Sequence, residues 1–504
     1  MPADPSDPSD YDLYQNNFFG GVLVALITSI QTLTARVVTL EETHDPPAGT
    51  LTVGSGGTYA TIAAAWAAAS DDATIELVSN VSEPNGQILG DLDGITIDLK
   101  GFTVTHTGTP TNGADGTLFR DCVGTRVISS TTRGAFVNDT NIRSETYGAG
   151  VIFGPGAVYW LVENVECSYY IQAGVNTSYG GSPAWSRHGE GAEYGWINDV
   201  YVHDIDVNST FNDSGSCLSI LLPQPVSATA PAWWQTKIDD EIGAVPPQTP
   251  VARSWDDCVF IITNCDLRAY NEADCPTSDA DTDANGIILD EWRDSFTSGQ
   301  GEGAHSYPPQ HPGAWAFIAN NTVYDVKGAG VRAFNNADAG YDAPHVIVHN
   351  TIVTAGKRLY DPAFNCSGTY TRNFTSSSCV ISTATGYSAT LGYTPNYQYN
   401  ALVANNLMVD VGTAIGEQWG LTEAVSNVNL GNNIYDWNDS VSGAPGIRQS
   451  QLNPDLSSLT DPTDFIPTSG SPMIGAGANI LVPNVDKDGN TRPQPPTIGA
   501  YEPT

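Results

Sequence analysis

One phrase recurs along this chain and limits what it can fold into. In the stretch from Phe317 to Val326, apolar and polar residues alternate, the alternation breaks at the pair Asn320-Asn321, and it then resumes. The phrase is rewritten at 160–167, 201–207, 261–267, 347–352, 403–408 and 430–435. Its polar column, read as Asn164, Asp204, Asn264, Asn320, His349, Asn405 and Asn432, advances by 40, 60, 56, 29, 56 and 27 residues, so most steps lie near 28 or its double. Alternation with period two is the pattern of a strand. A fixed repeat of this length marks units that bury their apolar faces on one another. Asn at a bend tolerates left-handed backbone and can bond to an Asn above and below it.

These features predict an all-β chain, a parallel β-helix in which a doubled step hides an unrecognised turn or an inserted loop. A β-sandwich with frequent Asn turns is the alternative, but it has no reason to repeat one phrase at one spacing. The chain resembles the right-handed parallel β-helix superfamily, which includes pectate-lyase-like enzymes and viral tailspikes. The segments 471–477, 486–493 and 498–502 look like the C-terminal closing segment of such proteins. The resemblance spans about 50 to 502 and marks fold, not activity.

The formal net charge is −37, because Lys and Arg total only 19. Such a surface repels nucleic acid and anionic membranes. It suits either high salt, where screening removes self-repulsion, or an ordinary acidic secreted protein. Eight Cys show no metal-thiolate spacing. Cys366 and Cys379 bracket a Ser/Thr-rich loop and suit a disulfide, whereas Cys167 and Cys265 fall inside the repeat as buried thiols.

Residues 1–16 read as an extended, acidic, Pro-rich arm without the basic start of a secretion signal. The apolar run from Phe18 to Ile30 is too short to span a bilayer, so no membrane insertion is expected. Phe19, Leu23, Leu26, Ile30, Leu33, Val37 and Leu40 step by 4, 3, 4, 3, 4 and 3 residues, a heptad seam. It predicts a short N-terminal helix or coiled coil for self-association within 17–48, with two or three strands, or else a lone helix capping the first turn. Residues 49–504 form the repeat domain, with long loops at 176–194, 222–254, 271–311 and 361–398.

Long loops on a rigid scaffold are where chemistry is expected. Asp279, Asp281, Asp283 and Asn285 alternate and precede Gly286, which resembles a calcium loop. The twelfth position from Asp281 is Trp292 and not Glu, so an EF-hand does not fit. A looser Ca²⁺ site and a solvated acidic loop tip stay open. Glycoside hydrolysis needs two carboxyl groups flanking one bond, and the candidates are Glu190 with Glu193, and Asp290 with Glu291 and Asp294. No basic cluster accompanies them, which disfavours acidic substrates. Trp185, Trp233, Trp234 and Trp292 are candidates for stacking on sugar rings. The Trp233-Trp234 pair stands out, because adjacent side chains in a loop seldom both bury.

The resemblance implies a trimeric viral spike or fibre subunit, on tail or capsid, whose N-terminal part meets other virion proteins and whose surface meets host glycans. A secreted polysaccharide-degrading enzyme, hydrolase or lyase, is one alternative. A non-catalytic adhesin is another.

Overall fold

In the computed structural model, the structure describes residues 49–108, 114–139, 147–170, 172–177, 192–205, 215–220, 228–243, 246, 254–268, 285–289, 314–326, 330–334, 345–353, 379–384, 402–409, 413–416, 429–431, 433–435, 447–449, 456, 462–477 and 482–503. The heptad residues Phe19, Leu23, Leu26, Ile30, Leu33, Val37 and Leu40, and Cys366 of the expected disulfide, lie outside them. Two compact units divide the chain, 1–49 with 68–70, and 50–67 with 71–504. The second unit holds the strands found among the described residues.

These strands belong to three sheets, and every pairing within them is parallel. The first sheet runs from Thr50–Val53 to Asn429–Gly431, the second from Val81–Pro84 to Ile447–Gln449, and the third from Gln87–Gly90 to Thr413–Gly416. From Thr74–Leu77 in the first sheet the chain enters the second at Val81–Pro84 and the third at Gln87–Gly90, then returns to the first at Thr96–Asp98. The same cycle leads to Leu402–Ala404, Leu407–Val409 and Thr413–Gly416. This order is compatible with the coils of a β-helix. Phe317 pairs with Val346, and Val346 with Leu402, so a circuit of 29 residues and one of 56 stack alike. The longer step is therefore one circuit carrying an inserted loop.

Side-chain columns follow from this register. Val162, Ile197, Ile262, Ile318 and Ile347 stack in successive strands and are buried, a use of branched side chains that suits a pleated surface. Beside them Trp160 faces Gly195, where an added Cβ would lie 2.0 Å from the indole; only glycine leaves room for that ring. A short helix, Ile62–Trp66, is capped by the Thr61 hydroxyl, which accepts from the Ala64 N–H. Cys122, Cys167, Cys217, Cys258 and Cys265 are buried.

The bends between the first and second sheets are left-handed, with φ of +50° to +59° at Asn164, Asp199, Asn264, Asn320, His349 and Asn405. Asp199 occupies the place that the sequence assigns to Asp204. Asp204 bends the chain later, in a column with Tyr169, whose N–H donates to the Asp204 carbonyl. Alternating residues read the same after a shift of five positions across the bend, hence the misplacement. One residue further on stands the ladder itself. Asn321 Nδ2 donates to Asn350 Oδ1 at 3.0 Å, and Asn350 Nδ2 to Asn406 Oδ1 at 2.9 Å. The same oxygens accept the backbone N–H groups of Asn321 and Asn350. All three amides are fully buried.

The C-terminal segment closes over the second sheet. Arg492, buried, pairs with Glu502 at 2.8 Å and donates to Asn320 Oδ1 and to the carbonyls of Gly499 and Ala500. Ile498, Ala500 and Tyr501 pack with Tyr324, Val353 and Leu407.

Asn350→Ala removes the acceptor of two buried donors and is expected to destabilise the chain by about 3 kcal/mol, judged from the usual cost of unsatisfied buried groups. Urea titration followed by circular dichroism checks this, and a shift below about 1 kcal/mol would mean that the ladder is dispensable.

Candidate functional site

Between strands Leu218–Ile220 and Cys258–Thr263 the chain leaves the sheets and forms the helix Ala232–Glu241. Trp234, Ile238 and Ile242 recur every four residues and form one buried stripe. This stripe packs on Leu161, Trp196 and Ile261, which face out from the first sheet. Lys237 fastens the helix to the first sheet through Glu163, pairs with Glu241 of its own helix and lies 5.0 Å from the centre of the Trp196 ring. Helical geometry separates adjacent side chains by about 100°, so the two tryptophans divide: Trp234 is buried, while Trp233 remains at the helix edge, half-buried. The pair therefore lies on a helix and not in a loop, and the candidate Trp234 is corrected: its ring is a packing element.

Trp233 opens onto a cleft of about 430 Å³, lined also by Asp72, Asp93, Arg126 and Thr229. Its shape comes from a second column of left-handed corners: Asp72, Gly94, Gly124, Tyr159 and Tyr194 have φ of +54° to +75°. The Gly94 N–H donates to Val123 O, and the Gly124 N–H to Val158 O. At Gly94 and Gly124 there is no side chain, and both glycines line the cleft. One and two circuits later the same position carries Tyr159 and Tyr194, whose rings stack at 4.6 Å. The cleft therefore exists where the column is glycine and is filled where it is tyrosine.

Its charges are arranged unusually. Arg126 forms no hydrogen bond or ion pair from its guanidinium among the described residues, and its Nε is buried without an acceptor. Asp93 accepts the Val123 N–H at 2.9 Å. Asp72 lies over Gly94, where a Cβ would approach its carboxylate to 2.0 Å.

A second polar cluster sits on the second sheet. His203 donates to Asp204 at 2.8 Å and to Glu166 at 3.1 Å through its two ring nitrogens. Burial opposes its charge, but these two bonds raise its pKa to about 9. Both carboxyls are held below their ordinary range, chiefly by the hydrogen bond from His203. Tyr201 stacks on the imidazole at 4.5 Å. With both N–H groups committed, this imidazolium is an ion-pair hub and not a base. The carboxylates occupy opposite nitrogens, an arrangement that does not converge on one metal.

The sequence candidates fare unevenly. Glu193 is completely buried and neither oxygen is hydrogen-bonded. Burial pushes its carboxyl well above the ordinary range, so it holds its proton away from solvent. Asn285 is buried too, and its amide donates to Ser216 Oγ at 3.2 Å. The last of the four candidate cation ligands thus lies in the interior. Glu190, Asp290, Glu291, Asp294, Trp185, Trp292, Asp279, Asp281 and Asp283 lie outside the described residues. Among the described residues, no three His, Cys, Asp or Glu side chains are grouped to hold a metal ion. Arg126, Asp72 and Asp93 went unread in the sequence, because only the circuit register brings positions this far apart into one cleft. No protein-family model matches the chain, and no curated protein matches it.

Glu193 supplies a pH test. Its native pKa is raised above the ordinary 4.5; its protonated form favours the fold below that value, and this contribution is lost as pH rises toward the native pKa. Glu193→Gln cannot ionise, so its stability advantage over the unaltered chain is expected to grow with pH above about 4.5. Urea midpoints measured across pH decide it; parallel curves would mean that Glu193 ionises freely in the folded chain.

Proposed function

We propose that this chain is a right-handed parallel β-helix serving as a spike or fibre subunit on a virion, trimeric through its 17–48 segment, and that it contacts host-surface glycans. The cyclic order of three parallel sheets and the buried Asn ladder support the β-helix. The observation that carries the binding role is the cleft at Trp233, whose lining a half-buried indole shares with Asp72, Asp93 and Arg126. An aromatic face with donors and acceptors at its margin is the usual equipment for a sugar ring. The volume of about 430 Å³ falls among small-ligand sites, commonly about 300–1,000 Å³.

Titrating the full chain with host-surface polysaccharide tests the binding. Trp233→Ala is expected to weaken it roughly tenfold or more with the fold retained, whereas Trp234→Ala should cost about 3–5 kcal/mol of stability. Equal binding by Trp233→Ala and the unaltered chain would remove the cleft from the account. New reducing ends or unsaturated products would move the assignment to an enzyme. The solution mass of the full chain and of a truncation starting at 49 tests the trimer: a monomer in both would overturn it.

A further inference from the structure

The cleft contains two charges of opposite sign that do not satisfy each other. Arg126 and Asp72 both line it, yet neither side chain forms a hydrogen bond or ion pair among the described residues. Among the described residues the other buried and half-buried cations are engaged: Lys100 with Glu76 and Asp98, Lys237 with Glu163, Arg133 with Asp199, Arg268 with Asp325, Lys487 with Asp266, Arg492 with Glu502. An arginine left without an acceptor at the edge of a carboxylate-lined cleft is a departure from that pattern. Its guanidinium has no protein acceptor among the described residues, so an incoming acceptor gains the bond without displacing a protein partner.

Each simple ligand class fails on one count. An anion would satisfy Arg126 but add charge beside Asp72 and Asp93, within a chain of net charge −37. A cation would pair with Asp72 and leave Arg126 as it was. A neutral ring would meet Trp233 but leave both charges uncompensated. A zwitterion satisfies all three, and its overall neutrality removes the long-range penalty. Its cationic end fits Trp233 as well, because an indole face attracts ammonium groups.

We infer that the cleft recognises a zwitterionic group, an ammonium or quaternary ammonium joined to a carboxylate or phosphate, with the anionic end on Arg126 and the cationic end between Asp72 and Trp233. The inference rests on the reading of the cleft as a glycan contact, the zwitterion being the substituent that singles out the host glycan.

The probes are glycine betaine, with a carboxylate, and phosphocholine, with a phosphate, titrated into the full chain by calorimetry. Choline, acetate and glucose are the controls. Saturable binding of either probe is expected, about tenfold or more tighter than choline or acetate. Arg126→Gln and Asp72→Asn should each weaken it about tenfold. Asp72→Asn is the safer variant, since Asn tolerates the left-handed backbone at that position, and an unchanged thermal midpoint confirms its fold. Binding of phosphocholine alone assigns the anionic end to phosphate; binding of both leaves the class as stated. Acetate binding as tightly as betaine, or Asp72→Asn leaving affinity within about twofold, overturns the inference. If a neutral host polysaccharide binds and neither probe does, the inference falls and the glycan reading stands. If the probes bind and no host polysaccharide does, the reverse holds.

Discussion

Parallel stacking is the constraint on which everything else in this chain depends. A strand here takes its backbone partners from the circuits before and after it, so the position of a residue on one circuit dictates its neighbours on the next two. Buried amide groups must find partners, and at a bend the ladder of sheet bonds is interrupted. Asn321, Asn350 and Asn406 repair the interruption. Each side-chain oxygen accepts the N–H groups that the bend would orphan, and each Nδ2 finds an acceptor in turn. A polar side chain thus sits without solvent in the core and holds the register there.

The same stacking decides the electrostatics. The chain has 19 basic residues against 56 acidic ones, and among the described residues most buried or half-buried cations have a specific structural task. Lys237 joins an inserted helix to the first sheet, and Arg492 ties the C-terminal segment to a bend. His203 is charged because two carboxylates face it from opposite sides. Arg126 alone among the half-buried cations named here lacks such a task within the protein, which is why the cleft reads as a place for something else.

Much of the fold could be read from the chain. The Asn-bearing phrase marked the strand pairs flanking each bend of the first and second sheets, as at Phe317–Ile318 and Ile347–Val348. The third sheet was less visible. Strands such as Leu218–Ile220 and Ile287–Leu289 are three residues long, fully buried and without an Asn marker. Adjacency alone does not divide the pair Trp233-Trp234; the four-residue spacing of Trp234, Ile238 and Ile242 is what marks the helix. Asn285 looked like a loop ligand because its neighbours in sequence are acidic, while its partner in space, Ser216, comes from the preceding circuit. The cleft could not be read at all: Gly94 and Gly124 carry no signal until the register shows that Tyr159 and Tyr194 hold the same corner.

The equivalence of the 29- and 56-residue circuits separates two inheritances. Strand columns answer to their neighbours above and below, and a change in one must suit the rest. An excursion such as the one that carries Ala232–Glu241 packs on a sheet without adding a strand to it, so its length can change without retiming the stack. Lineages descended from such a chain can therefore diversify what they display while transmitting the scaffold intact, and grafted peptides placed at these junctions would inherit the same freedom.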